Sequence, residues 1–195
     1  MANPNMNLRD LLILVADPSS YMSALIHSML RGFGSNKVLM VRNSVGVYHA
    51  MTAQRIDLLI CDARLPLHGG LELTRALRSK TDDEHRTLPI LIMTADSRES
   101  TIKQARDAGA NMVIAKPLSP ARLYDRLAWI AFKPRKFVDA TTYFGPDRRF
   151  KIEGYPSGIG RRKGDNVTEA AQDSAPALAQ DDIDSLFTAV RSGQE

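Results

Sequence analysis

Four polar residues each follow directly on a short apolar run. Asp17 closes LLILVA, Asp62 closes LLIC, Thr94 closes ILIM and Lys116 closes MVIA. Carboxylates suit a hard divalent cation, which takes oxygen donors and keeps several waters. An ammonium is a point charge suited to phosphate oxygen, and a hydroxyl can both donate one hydrogen bond and accept others. Any one of the four, taken alone, reads as a solvated loop residue or a helix cap. Together they form a constellation if the runs that carry them are strands lying side by side.

The elements that must position them are legible. The runs 11–16, 38–41, 58–61, 90–93 and 112–115 are continuously apolar rather than alternating. That is the pattern of strands buried on both faces of a parallel sheet. Candidate helices lie between and after them, over roughly 21–31, 45–54, 71–79, 98–108 and 119–131. Start signals agree: Ser19-Ser20 before the first, Gly69-Gly70 before the third and Ser119-Pro120 before the fifth. Strand–helix alternation repeated five times predicts an α/β fold, a doubly wound five-stranded parallel sheet with right-handed crossovers. In such sheets reactive groups collect at the carboxyl ends of the strands, which puts Asp17, Asp62, Thr94 and Lys116 on one edge.

Composition bounds the rest. Hydrophobic residues make up 44% and charged residues 25% of 195 residues, the balance of a globular protein. The apolar runs are too short to span a bilayer, and the first residues lack the order of a secretory signal. Cys61 is the only cysteine, so no internal disulfide can form and a reducing, cytoplasmic setting is expected. His27, His49, His68 and His85 show no metal-ligand spacing. The net charge of +4 is unevenly spread. Residues 1–132 carry 16 Lys and Arg against 12 Asp and Glu, residues 133–164 carry 9 against 3, and residues 165–195 carry 1 against 7. We therefore expect one folded domain over 1–132, a basic Gly/Arg-rich segment with a flexible linker over 133–178, and a short amphipathic helix over 179–192. In the last, Ile183, Leu186, Phe187 and Val190 share one helical face. Too few periodic helices follow residue 132 for a DNA-binding domain.

The stretches LLILVADPSS, IDLLICDARLPLHGGLELTRALR, LPILIMTADS and AGANMVIAKPLSP resemble, in order, the receiver domain of two-component response regulators. The resemblance extends over residues 8–132. The resemblance implies the flavodoxin-like receiver fold, and that Asp62 accepts a phosphoryl group from a histidine kinase or phosphotransfer protein. It implies that Asp17, Asp62 and the backbone carbonyl of Arg64 hold Mg²⁺. Thr94 would bond a phosphoryl oxygen, Lys116 would pair with the carboxylate or phosphoryl group, and the Lys116–Pro117 bond would be cis. Two positions depart from the pattern. Ala16 stands where the family usually has a second acidic residue, which predicts weaker Mg²⁺ binding. Val113 stands where many members carry an aromatic ring that turns inward on activation.

Beyond the domain, Tyr143, Phe144, Phe150 and Tyr155 interleave with the pairs Arg148-Arg149 and Arg161-Arg162. Guanidinium forks and stacking rings suit a nucleotide. The terminal LAQDDIDSLF resembles the short peptide by which a flagellar switch protein binds the chemotaxis regulator. Three functions are in competition: a phosphorylation-driven switch working through protein contacts, a phosphorylation-independent adaptor, and a nucleotide binder using the arginine segment. At most slow self-dephosphorylation is expected of the first.

Overall fold

The computed structural model describes residues 6–79, 84–140 and 143–148. Five strands and five helices alternate: β1 (Leu12–Ala16), α1 (Ser20–Gly32), β2 (Lys37–Val41), α2 (Ser44–Ala53), β3 (Leu58–Asp62), α3 (Gly70–Ser79), β4 (Ile90–Thr94), α4 (Glu99–Asp107), β5 (Met112–Ala115) and α5 (Pro120–Phe132). A short 3-10 helix, Glu84–Thr87, precedes β4. All four strand pairings in the sheet are parallel, in the order β2-β1-β3-β4-β5. This is the flavodoxin-like order, with the connection reversing direction across β1 and β3.

Every residue of β3 and β4 is buried, which explains why their sequences show no alternation. On one face Leu14, Leu59, Ile90 and Ile92 pack with Val47 and Met51 of α2, Leu73 and Leu77 of α3, and Ala105 of α4. On the other, Ile13, Val15, Ile60 and Met93 pack with Ile26 and Leu30 of α1 and Leu123 and Leu127 of α5. Each of these valine, leucine, isoleucine and methionine side chains contributes about 1.5–3 kcal/mol by leaving water. Three helices begin on side-chain caps: Ser19 accepts from the Met22 N–H, Asn43 from Gly46 and Ser119 from Arg122. Each cap satisfies an otherwise orphan amide and fixes the entry into its helix.

The fold departs from expectation after α5. The sequence reading ended the folded unit at residue 132 and saw an irregular basic segment beyond it. Residues Phe137–Ala140 (β6) and Tyr143–Pro146 (β7) instead form an antiparallel hairpin, with Val138 opposite Gly145 and Asp139 opposite Phe144. The hairpin falls within the first of two compact units of the chain, the same unit as the sheet. The signal was obscured because the hairpin is short and its aromatics pack on arginines rather than on an aliphatic core. Arg78, at the end of α3, is 2% exposed. It donates to the carbonyls of Gly109 (3.1 Å), Arg86 (2.7 Å) and Leu88 (2.7 Å) and to the Asn111 side chain (3.0 Å). The Phe137 ring covers it at 5.1 Å. Burial pushes its guanidinium pKa down to about 10, so it stays charged at neutral pH. Arg86 lies 3.5 Å from the Phe144 ring centroid. The expected helix over 179–192, the linker and the Arg161-Arg162 pair lie outside the described residues.

Candidate functional site

The carboxyl ends of β1, β3, β4 and β5 meet on one edge, and each brings a polar side chain. Asp17 follows β1 and is fully buried. Asp62 ends β3 at 8% exposure, and Thr94 ends β4 at 4%. Lys116 follows β5, and its Nζ donates to Asp17 Oδ2 at 2.7 Å and to Asp62 Oδ2 at 2.5 Å. These contacts join residues 99 and 54 positions apart in the chain. Partial burial pulls the Lys116 pKa down, but the bonds to Asp17 and Asp62 outweigh it and leave it raised. The Lys116–Pro117 bond is cis.

The other carboxylate oxygens are held by backbone. Asp17 Oδ1 accepts from the Ser19 N–H at 2.8 Å, and Asp62 Oδ1 accepts from the Arg64 N–H at 2.6 Å. Arg64 is thereby tied to Asp62 through its own amide, in the loop leading to α3. That loop folds back tightly: the Gly70 N–H donates to the Ala63 carbonyl at 2.9 Å, and a Cβ on Gly70 would overlap the Asp62 carbonyl oxygen. Leu67, 68% exposed, is held there at φ 81°, in the left-handed region that non-glycine residues rarely adopt.

Thr94 stands apart from the ammonium-centred trio. Its hydroxyl donates to the Asp96 carbonyl at 3.2 Å and accepts from the Asp96 N–H at 3.0 Å. The Asp96 carboxylate in turn accepts from the Arg98 N–H at 3.1 Å, from the Arg98 guanidinium at 2.5–3.0 Å and from the Thr101 hydroxyl at 2.9 Å. The Arg98 bonds hold its carboxyl well below the usual carboxylate range. Sequence reasoning missed Asp96 and Arg98. The available signal was an Asp at a strand-to-helix turn, a residue type that bonds backbone two positions on.

Cys61 and Ala16 complete the floor. Both are fully buried and belong to the apolar layer beneath α2 and α3. Burial first, then the Asp62 and Asp17 charges, push the Cys61 thiol far up, so it stays neutral. Ala16 leaves the site with two carboxylates. Among the described residues no group of three His, Cys, Asp or Glu side chains could hold a metal ion. The two carboxylates nevertheless point at one shared cation, the Lys116 ammonium, so a hard divalent ion fits the donor set provided water and backbone carbonyls supply the rest.

The family model of the response regulator receiver domain matches residues 13–128. The chain belongs to the receiver domain family. Among curated relatives, this receiver is 30% identical over 135 residues to the sensory/regulatory protein RpfC of Xanthomonas campestris pv. campestris, covering 69% of this chain and 18% of that protein. The receiver therefore corresponds to under a fifth of RpfC. It is 28% identical over 119 residues to the chemotaxis protein CheY-3 of Vibrio cholerae, covering 61% of this chain and 90% of that protein. Among solved structures it is similar to the receiver domain of a sensor histidine kinase from Pseudomonas aeruginosa PAO1, at 28% identity and a TM-score of 0.54. That match covers 62% of this chain and 96% of the other, whose active-site cleft coordinates a magnesium ion. Receiver domains are phospho-accepting modules of phosphorelay signalling, and this chain is homologous to response regulators of that kind.

In this receiver no helix of the described residues is long and apolar enough to cross a membrane. Of the arginine-rich segment, Arg148 is described. It pairs with Asp107 at 2.7 Å and lies 3.6 Å from the Tyr143 ring centroid. Arg149, Phe150, Tyr155, Arg161, Arg162 and the terminal LAQDDIDSLF lie outside the described residues.

Proposed function

We propose that this receiver is a phosphorylation-driven switch in which Asp62 accepts the phosphoryl group. The observation that carries the reading is the convergence of Asp17 and Asp62 on the Lys116 ammonium. Asp62 Oδ2 attacks the phosphorus of a phosphohistidine on a histidine kinase or phosphotransfer protein. An O–P bond forms as the P–N bond to the donor imidazole breaks, and the imidazole leaves with the electron pair. Such transfers need positioning and charge stabilisation more than covalent help. Lys116 holds the nucleophile in place beforehand and balances charge on the phosphoryl oxygens afterwards. The Arg64 N–H orients the other Asp62 oxygen. The Thr94 hydroxyl would exchange its bond to the Asp96 carbonyl for one to a phosphoryl oxygen.

Asp17, Asp62 and the Arg64 backbone carbonyl are the residues that would hold Mg²⁺. A divalent ion supplies positive charge against which donor and acceptor anions can approach. With Ala16 in place of a third carboxylate, affinity for that ion is lowered. The magnesium ion in the active-site cleft of the related Pseudomonas receiver supports a divalent ion at this edge of the sheet. The output is a change in protein contacts, in motility or another response, within a reducing cytoplasm that leaves Cys61 as a thiol. Self-dephosphorylation at Asp62 is at most slow.

The test is incubation of the full chain with Mg²⁺ and a small phosphodonor. Acid-labile phosphate should appear on the wild type and be absent from Asp62→Asn. Undiminished labelling of that variant removes the assignment. Ala16 and Val113 favour a second reading, a receiver that docks partners without phosphorylation. Wild type that takes no label at any Mg²⁺ concentration selects it.

A further inference from the structure

We propose that α4 couples the Asp62 site to the β6–β7 hairpin, making the hairpin the intramolecular partner through which the state of this receiver is read. The inference rests on Asp62 being the phospho-acceptor, and it concerns where the change goes next.

The N-terminal end of α4 is joined to the site. Thr94 and Asp96 exchange hydrogen bonds at 3.2 and 3.0 Å, and the Asp96 carboxylate grips Arg98 and Thr101 at the entry to the helix. The hydroxyl at the site and the first turn of α4 are thus one bonded unit. The C-terminal end is joined to the hairpin. Asp107, the last residue of α4, pairs with Arg148 at 2.7 Å, and Arg148 stacks on Tyr143 of β7. Two residues on, Gly109 at φ 96° meets the hairpin closely: a Cβ on Gly145 would lie 3.0 Å from the Gly109 Cα. Its carbonyl also takes the Arg78 Nε–H beneath Phe137.

Between these ends α4 is thinly held. Its buried residue is Ala105, whereas α3 buries Gly70, Leu73, Thr74, Leu77 and Arg78. A helix of nine residues is about 13 Å long and moves as a rigid unit. If Thr94 turns from the Asp96 carbonyl to a phosphoryl oxygen, the entry to α4 loses a bond while the core holds little of the helix back. The displacement then reaches Asp107 and Gly109. Val113 on the neighbouring β5 has no ring to reorient, so this path does not depend on an aromatic switch.

Coupling of this kind is reciprocal: if occupancy of the site shifts the hairpin, then shifting the hairpin alters affinity at the site. Arg148 and Asp107 are both well exposed, so Arg148→Ala and Asp107→Asn should fold. The full chain is titrated with beryllofluoride in Mg²⁺ while amide resonances are followed. The hairpin amides of Asp139, Phe144 and Gly145 should shift with the same midpoint as Ala63 and Arg64. Both variants release the far anchor of α4, so each should tighten beryllofluoride binding about fivefold or more and shrink the hairpin response. A response at Ala63 and Arg64 with silent hairpin amides overturns the coupling alone, as do variants that titrate like wild type. If nothing beside Asp62 responds, the phospho-acceptor reading falls and takes this inference with it.

Discussion

At the scale of single residues, one ammonium between two carboxylates sets the charge of the site. Lys116 has a raised pKa because its bonds to Asp17 and Asp62 outweigh its partial burial. A raised cation stabilises the fold fully below its unfolded pKa, near 10.4, and that contribution is lost as pH rises through the higher folded value. The stability gap between wild type and Lys116→Met, read by urea denaturation, should therefore be flat from about pH 7 to pH 9. It should close only above about pH 10.4. A gap that narrows near neutrality would mean that another group carries the contact. Ala16 gives the second residue-scale expectation. A carboxylate about 5 Å from a divalent ion is worth ~1.7 kcal/mol even at the dielectric constant of water, more than tenfold in affinity. Ala16→Asp should tighten Mg²⁺ by at least that factor in a calorimetric titration. Because Ala16 is fully buried in the apolar layer, the same change should lower the melting temperature when no divalent ion is present.

At the scale of elements, the loop from β3 into α3 decides whether Asp62 faces the site. The chain folds back so closely that the first residue of α3 has no room for a methyl group against the Asp62 carbonyl. The nearest atom is backbone, so a rotamer change cannot relieve the overlap. Gly70→Ala should cost about 3 kcal/mol or more in urea denaturation. It should also disturb the amide of Arg64, which reports the position of Asp62. An unperturbed variant would show that the loop has slack that the close approach does not suggest. The N-terminal caps of α1, α2 and α5 serve the same end, since Ser19, Asn43 and Ser119 each start a helix just after a strand end on the site edge.

At the scale of the whole molecule, the hairpin is part of the domain rather than an appendage. Arg78 has no carboxylate partner in the described contacts; carbonyls satisfy it and Phe137 covers it. Arg86 on Phe144 and Arg148 on Asp107 and Tyr143 repeat the scheme nearer the surface. The Arg135 guanidinium closes the set by donating to the Asn111 carbonyl. The two cation–π contacts that join the domain to the hairpin, Arg78 on Phe137 and Arg86 on Phe144, contribute together about 2 kcal/mol. Cutting after residue 132 should then lower the melting temperature by about 4–8 °C relative to a chain ending at 149. Equal melting temperatures would show that the hairpin rests on the domain without supporting it.

The sheet, the alternation and the four strand-end residues could be read from the sequence for a physical reason. Strands buried on both faces must be continuously apolar, so the first polar residue after each run marks a carboxyl end. Asp17, Asp62, Thr94 and Lys116 stand out on that basis alone. What the sequence could not carry was distance and partnership. That Lys116 spans both carboxylates depends on strand order, which leaves no local pattern. The Thr94–Asp96 contact across the β4–α4 turn had only the weak local signal of an Asp at a helix entry. The hairpin was hidden for a related reason. Strand periodicity reports apolar burial, whereas Phe137 and Phe144 gain their contacts from Arg78 and Arg86, residues that a composition-based reading assigns to solvent. Their pairing exists only once α3 and the 3-10 helix have brought those two guanidinium groups to the hairpin.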